Sequence, residues 1–167
     1  VACVFATVVF LVCGWAMIWF FQKMPGWQPY LNAWDIMSIL AYALAFALLE
    51  SLIALGLLVA LAAVLPVQAL RAQFAACGST IVVATTFWTV MFQLIFEAVI
   101  RDWRGVEFVL WPGLAFVSII TSALLVHRSR RAQRMVVALA DRFTVFLYLY
   151  VPLGVAGALV VVARNLL

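Results

Sequence analysis

Apolar residues run almost without interruption through five stretches of the chain, and short clusters of polar and helix-breaking residues separate them. The first stretch covers 2–21. It gives way to a loop over 22–35, punctuated by Pro25, Gly26 and Pro29. The second covers 36–65 and stops at Pro66. At ~1.5 Å per residue it exceeds a ~30 Å hydrocarbon core, so it must tilt or protrude. The third stretch, 80–100, follows a connector that holds Arg71 and Gly78. The fourth, 106–126, is entered through Arg101, Asp102, Arg104, Gly105 and Glu107, with Pro112 tolerated in its first turns. The fifth, 143–163, follows a basic connector over 127–142. Within lipid a spanning segment must satisfy its own backbone hydrogen bonds, which a helix does and an open strand does not. A barrel would show alternation, and these runs are continuous. The predicted fold class is therefore all-α: a polytopic transmembrane helical bundle of about five spans, forming a single domain.

Composition sharpens this picture. The hydrophobic fraction is 69% and the charged fraction 10%, against ~45–50% apolar in an ordinary soluble domain. Too little polar surface exists to face water, so the solvent for most of the chain is lipid. Within these 167 residues five spans leave no room for a large extramembrane domain as well, and nothing in them looks like a soluble catalytic domain. The net charge of +4 is concentrated in one connector, which reads as membrane orientation and not as a nucleic-acid surface. Cys3, Cys13 and Cys77 form no CxxC pair, so neither a disulfide framework nor a zinc site is expected. Residue 1 is a valine already inside an apolar run. The native chain is expected to begin upstream or to have lost its start, and the length and flanks of the first run fit a cleaved signal peptide poorly.

Charge placement gives an orientation. Arg128, Arg130, Arg131, Arg134 and Arg142, opposed by Asp141 alone, share one side with Arg71. Lys23, Arg101 and Arg104 share the other with Asp35, Asp102 and Glu107. The positive-inside rule then predicts the N-terminus in and the C-terminus out, with Arg164 running against the rule, and the expected location is the cell's inner (plasma) membrane. Trp19, Trp27, Trp34, Trp103 and Trp111 fall at the predicted outer interface, where amphipathic rings settle. Trp27, Trp34 and Trp103 are candidates for contact with a partner, against ordinary interfacial anchoring.

Few residues carry chemistry. Glu50 lies halfway along the second run, where a charged group costs ~2.5–3.5 kcal/mol on insertion scales. It must face protein or water, or keep its proton. Functionally it reads as a proton relay or a quinone or ion contact. Structurally it reads as a neutral hydrogen-bonding group between helices, which is favoured because one carboxyl is not a pathway. Thr85, Thr89, Gln93 and Glu97 recur every four residues on one face of the third run. If the second and third spans are antiparallel neighbours, Thr89 and Gln93 are the natural partners of Glu50. This face is either a polar track or interhelical glue, worth ~0.6 kcal/mol per contact. Arg128, Arg130, Arg131 and Arg134 are candidates for anionic lipid headgroups as well as a topogenic signal. His127, the only histidine, cannot supply a bis-histidine haem, and no cofactor is expected. Ala43, Ala47 and Ser51, and Gly154 and Ala158 with Gly157 beside them, form small-residue spacings that let helices approach closely. Pro152 is expected to kink the last span.

The segments WDIMSILAYALAFALLESL (34–52) and DRFTVFLYLYVPLGVAGALVVVARNL (141–166) are similar to uncharacterised multi-pass bacterial membrane proteins of the kind found in filamentous phototrophs. The resemblance implies a multi-pass bacterial architecture. It carries no catalytic motif and transfers no functional residue.

The chain has no Walker loop, nucleophile elbow, paired metal ligands or cluster of intramembrane acids. Paired broken helices of a transporter are also missing from the pattern. The expected role is an accessory, non-catalytic integral membrane subunit of a larger complex, with a respiratory or photosynthetic electron-transfer assembly as host. Its expected partners are the lipid bilayer, other integral membrane subunits and anionic lipids. The alternatives are the membrane anchor of a longer lipid-headgroup-modifying enzyme, similar to the membrane part of sulfatase-like headgroup transferases, and a small ion or proton carrier using Glu50.

Overall fold

In the computed structural model the chain forms five helices: α1 (Ala2–Trp27), α2 (Ala33–Val64), α3 (Phe74–Asp102), α4 (Gly105–Arg128) and α5 (Arg130–Leu166). The structure describes residues 1–64, 74–102 and 105–166, with the side chains of 96–109 set aside. Pro66, Arg71, Trp103 and Arg104 lie outside the described residues, as do the side chains of Glu97, Arg101, Asp102 and Glu107. All five helices are long and apolar enough to cross a membrane, so the chain is a multi-pass membrane protein.

The helix ends differ from the sequence expectation. The helical turns of α1 continue through Pro25, and the loop over 22–35 shrinks to 28–32. A proline one turn from a helix end removes a single backbone bond. The turn still closes through the Gln28 N–H donating to the Met24 carbonyl at 3.2 Å. Asn32 then starts α2 by accepting from the Asp35 and Ile36 N–H groups at 3.0 and 3.1 Å, and Asp35 sits favourably in the first turn. The largest difference is at the basic segment. Residues 130–142, expected as a connector, are the first turns of α5, and the break from α4 is Ser129 alone. The Ser129 hydroxyl accepts from the Ala132 N–H at 3.3 Å, an N-cap. Gln133 Nε2 donates to the Val126 and His127 carbonyls at 3.1 and 2.8 Å, closing the last turn of α4. The segment is also rich in Ala, Arg, Gln, Met and Leu, good helix formers whatever their polarity. α5 runs through Pro152 as one helix.

Helix α1 is the centre of the bundle. It packs on α2, α5 and α3, while the α3–α4 hairpin leans on α1 and α5. Its first half buries Val4, Thr7, Val8, Val9 and Cys13. Val4 and Val8 pack with Val82 of α3, and Val9 and Cys13 with Ala47 of α2. Phe10 stacks on Phe143 of α5 at 4.3 Å. Polar ties hold both ends of the bundle, between the parallel helices α1 and α5 at one end and the antiparallel helices α2 and α5 at the other. Cys3 Sγ donates to Asp141 Oδ1 at 3.0 Å at one end. At the other, Asn165 Nδ2 donates to the Tyr42 hydroxyl at 2.9 Å, and Arg164 pairs with Asp35 at 3.7 Å.

The α2–α5 seam is closed by glycine. Gly154 and Gly157 are buried against α2. A Cβ at Gly157 would lie 2.6 Å from the Ala41 carbonyl oxygen, and one at Gly154 would lie 2.9 Å from Leu48 Cβ. The close approach therefore uses Gly154 with Gly157, not Gly154 with Ala158, and it faces Ala41, Leu44 and Leu48. Ala47 packs instead on α1, and Ala43 lines an open groove.

Candidate functional site: a groove along the central helix

The helices α2 and α3 both lie on α1, but they are not packed along their lengths as antiparallel neighbours. Between them a groove runs over α1. One lobe, about 470 Å³, extends from the shared polar centre toward Val8, Leu57 and Ile81. The other, about 740 Å³, extends toward Trp19, Phe20, Trp27 and Ile39. Both lobes include Trp15, Ala16, Glu50, Thr89 and Gln93.

Helical periodicity builds the walls. On α2 the residues Ile39, Ala43, Phe46, Glu50, Ala54 and Leu57 succeed one another at three- and four-residue steps and so form one stripe. On α3 the stripe is Thr85, Thr89 and Gln93. The sequence-derived candidates Glu50, Thr89 and Gln93 thus converge on one cleft, facing one another across α1 and not through a helix–helix contact. Glu97 has no described side chain.

The hydrogen bonds differ from the expected pairing. Gln93 Oε1 accepts from Trp15 Nε1–H at 2.7 Å. Thr89 donates its hydroxyl to the Thr85 carbonyl at 3.0 Å. No described residue hydrogen-bonds the Glu50 carboxyl, and its side chain stands exposed in the groove. Trp15 is the residue that sequence reasoning missed. Its signal was its position: it lies mid-run, away from the interface where the other tryptophans of α1 gather, and an indole N–H in an apolar run needs an acceptor. Trp88, equally deep in α3, finds one in Ser118 of α4. Trp111, expected as an interface anchor, packs edge-on against Trp88 at 5.5 Å.

The basic candidates form a separate feature. Arg128 ends α4, Arg130, Arg131 and Arg134 lie on the first turns of α5, and all four are exposed. At the other end of the bundle Trp34 is exposed, while Trp27 is half-buried at the mouth of the groove and packs on Phe20 at 5.9 Å.

No protein-family model matches the chain, and no curated protein or solved structure is similar to it.

Proposed function

We propose that the chain is a non-catalytic integral subunit of a larger membrane assembly, an electron-transfer complex of the respiratory or photosynthetic kind, in a bacterial plasma membrane. The observation that carries this reading is Glu50. Its carboxyl stands mid-span on a groove wall with no hydrogen bond to a described residue. Left facing hydrocarbon, an acidic group there is costly, and another membrane component that offers a hydrogen-bond donor removes the cost. The electron-transfer host is favoured by the preponderance of apolar helix over extramembrane mass.

The reading places the Arg128–Arg134 corner in the cytoplasm, by the positive-inside rule. There Arg128, Arg130, Arg131 and Arg134 meet anionic headgroups at ~1 kcal/mol per basic residue. Arg164, which runs against this orientation, is paired with Asp35. In a variant lacking the native cysteines, a cysteine at Ser129 is expected to label from the cytoplasm and one at Asn32 from outside, and the reverse pattern refutes the orientation. The subunit reading is tested by purifying the chain from native membranes in mild detergent. Integral membrane chains in fixed stoichiometry are expected, with contacts at the exposed Trp34 and the groove-mouth Trp27. A chain that migrates alone under every mild condition refutes it.

A further inference from the structure

The groove offers a hydrogen-bonding pattern as well as a carboxyl. Gln93 Oε1 is occupied by Trp15, so the Gln93 amide presents its N–H donors. Thr89 has spent its hydroxyl hydrogen on the Thr85 carbonyl, which leaves an oxygen that accepts. Glu50 adds two carboxyl oxygens. A ligand hydroxyl matches this set, because it donates and accepts through one atom. We infer that the groove binds a membrane-dissolved amphiphile of the quinol type, with a neutral hydroxyl-bearing ring between Glu50 and Gln93 and an apolar tail along α1.

Depth, size and shape select this occupant. Glu50 lies about 25 Å along α2 from Ala33 and about 21 Å from Val64, so it is near mid-bilayer, out of reach of a phospholipid headgroup. A charged amine at that depth is costly, and a neutral hydroxyl is much less so. The lobes of about 470 and 740 Å³ fall in the ~300–1,000 Å³ range of small-ligand sites. From Val8 to Trp27 the groove follows α1 for about 28 Å, room for a long tail. Phe46 and Trp19 flank the wider lobe with flat apolar surface for a ring.

The inference deepens the subunit reading, and it is tested on the full chain alone, in phosphatidylcholine nanodiscs. The probe is decylubiquinol, measured by equilibrium binding against empty nanodiscs. The control is decylbenzene, which keeps a ring and tail but has no oxygen. Saturable quinol binding about tenfold or more tighter than that of decylbenzene is expected, given the strength of hydrogen bonds made out of water. Glu50→Leu and Gln93→Leu should each weaken the quinol about tenfold and leave decylbenzene unchanged. Val145→Ala, on an exposed position of α5, should alter neither. Equal binding of the two probes, or quinol uptake no greater than in empty nanodiscs, overturns the inference. Wild-type quinol affinity in both folded groove variants does the same. If a variant fails to fold, the two-probe comparison on the native chain still decides. Loss of quinol binding with partner chains still co-purifying ends this inference and leaves the subunit reading intact. Quinol binding by a chain that never co-purifies with others does the reverse.

Discussion

Helix α2 has two contrasting sides. Toward α5 it is sealed: Ala41, Leu44 and Leu48 meet two glycines so closely that no Cβ fits at Gly157. Toward α3 it is open: Glu50, Phe46 and Leu57 line a groove floored by α1. Both sides come from one apolar helix. What separates them is the residue opposite. Glycine on α5 lets backbones approach and gain dispersion contacts along the seam. On the other side, the larger Trp15 reaches from α1 to hold Gln93 of α3, and α2 and α3 stay apart. In lipid no hydrophobic force closes such a gap, because a chain of CH₂ groups fills it as well as a side chain does. An open groove inside a membrane is thus a stable arrangement, provided its polar groups find partners.

This contrast is broken most severely at Gly157. A Gly157→Leu side chain must displace the Ala41 backbone, and overpacking of this kind costs about 3 kcal/mol or more. The apparent Tm of the chain in detergent should fall sharply, while Gly113→Leu, at a glycine with open space around it, should leave the packing intact. A Gly157 variant with native Tm would show that the seam does not hold the bundle.

Glu50→Leu should act in the opposite direction on the lone chain. The carboxyl makes no internal hydrogen bond, so its replacement removes a polar group from lipid and stabilises the isolated subunit by ~2 kcal/mol. The same change should weaken whatever fills the groove. Glu50→Gln keeps a donor and an acceptor and should support assembly nearly as well as the native residue. Loss of proton coupling in an intact host complex carrying Glu50→Gln would instead assign the carboxyl to proton transfer.

Trp15→Phe tests the bridge with a smaller effect. It keeps ring volume and loses the N–H to Gln93, for ~1 kcal/mol. Cysteine cross-linking between α1 and α3 near this depth should become less efficient, with the α2–α5 seam unaffected. Unchanged cross-linking would mean that core packing around Val4, Val8 and Val82 alone positions α3.

The number of helices, their membrane character and the candidate residues on α2 and α3 could be read from sequence, because hydropathy and four-residue spacing are local properties. The helical state of 130–142 was not. Its arginines read as a connector, whereas a Ser129 cap and a Gln133 side chain on the end of α4 make it helix. Which side of each helix meets protein was also not legible. The apolar residues of α1 and α2 are spread almost evenly around each helix, and lipid is as apolar as a protein core, so no periodic signal marks the inside. The sequence by itself determined that Glu50 lies halfway along an apolar run and that Thr89 and Gln93 share a face. Only the tertiary structure decided that they meet across α1, with Trp15 holding Gln93. That choice rests on where glycine permits close approach and where a ring on one helix bridges to the next, a property of helix pairs that no single segment contains.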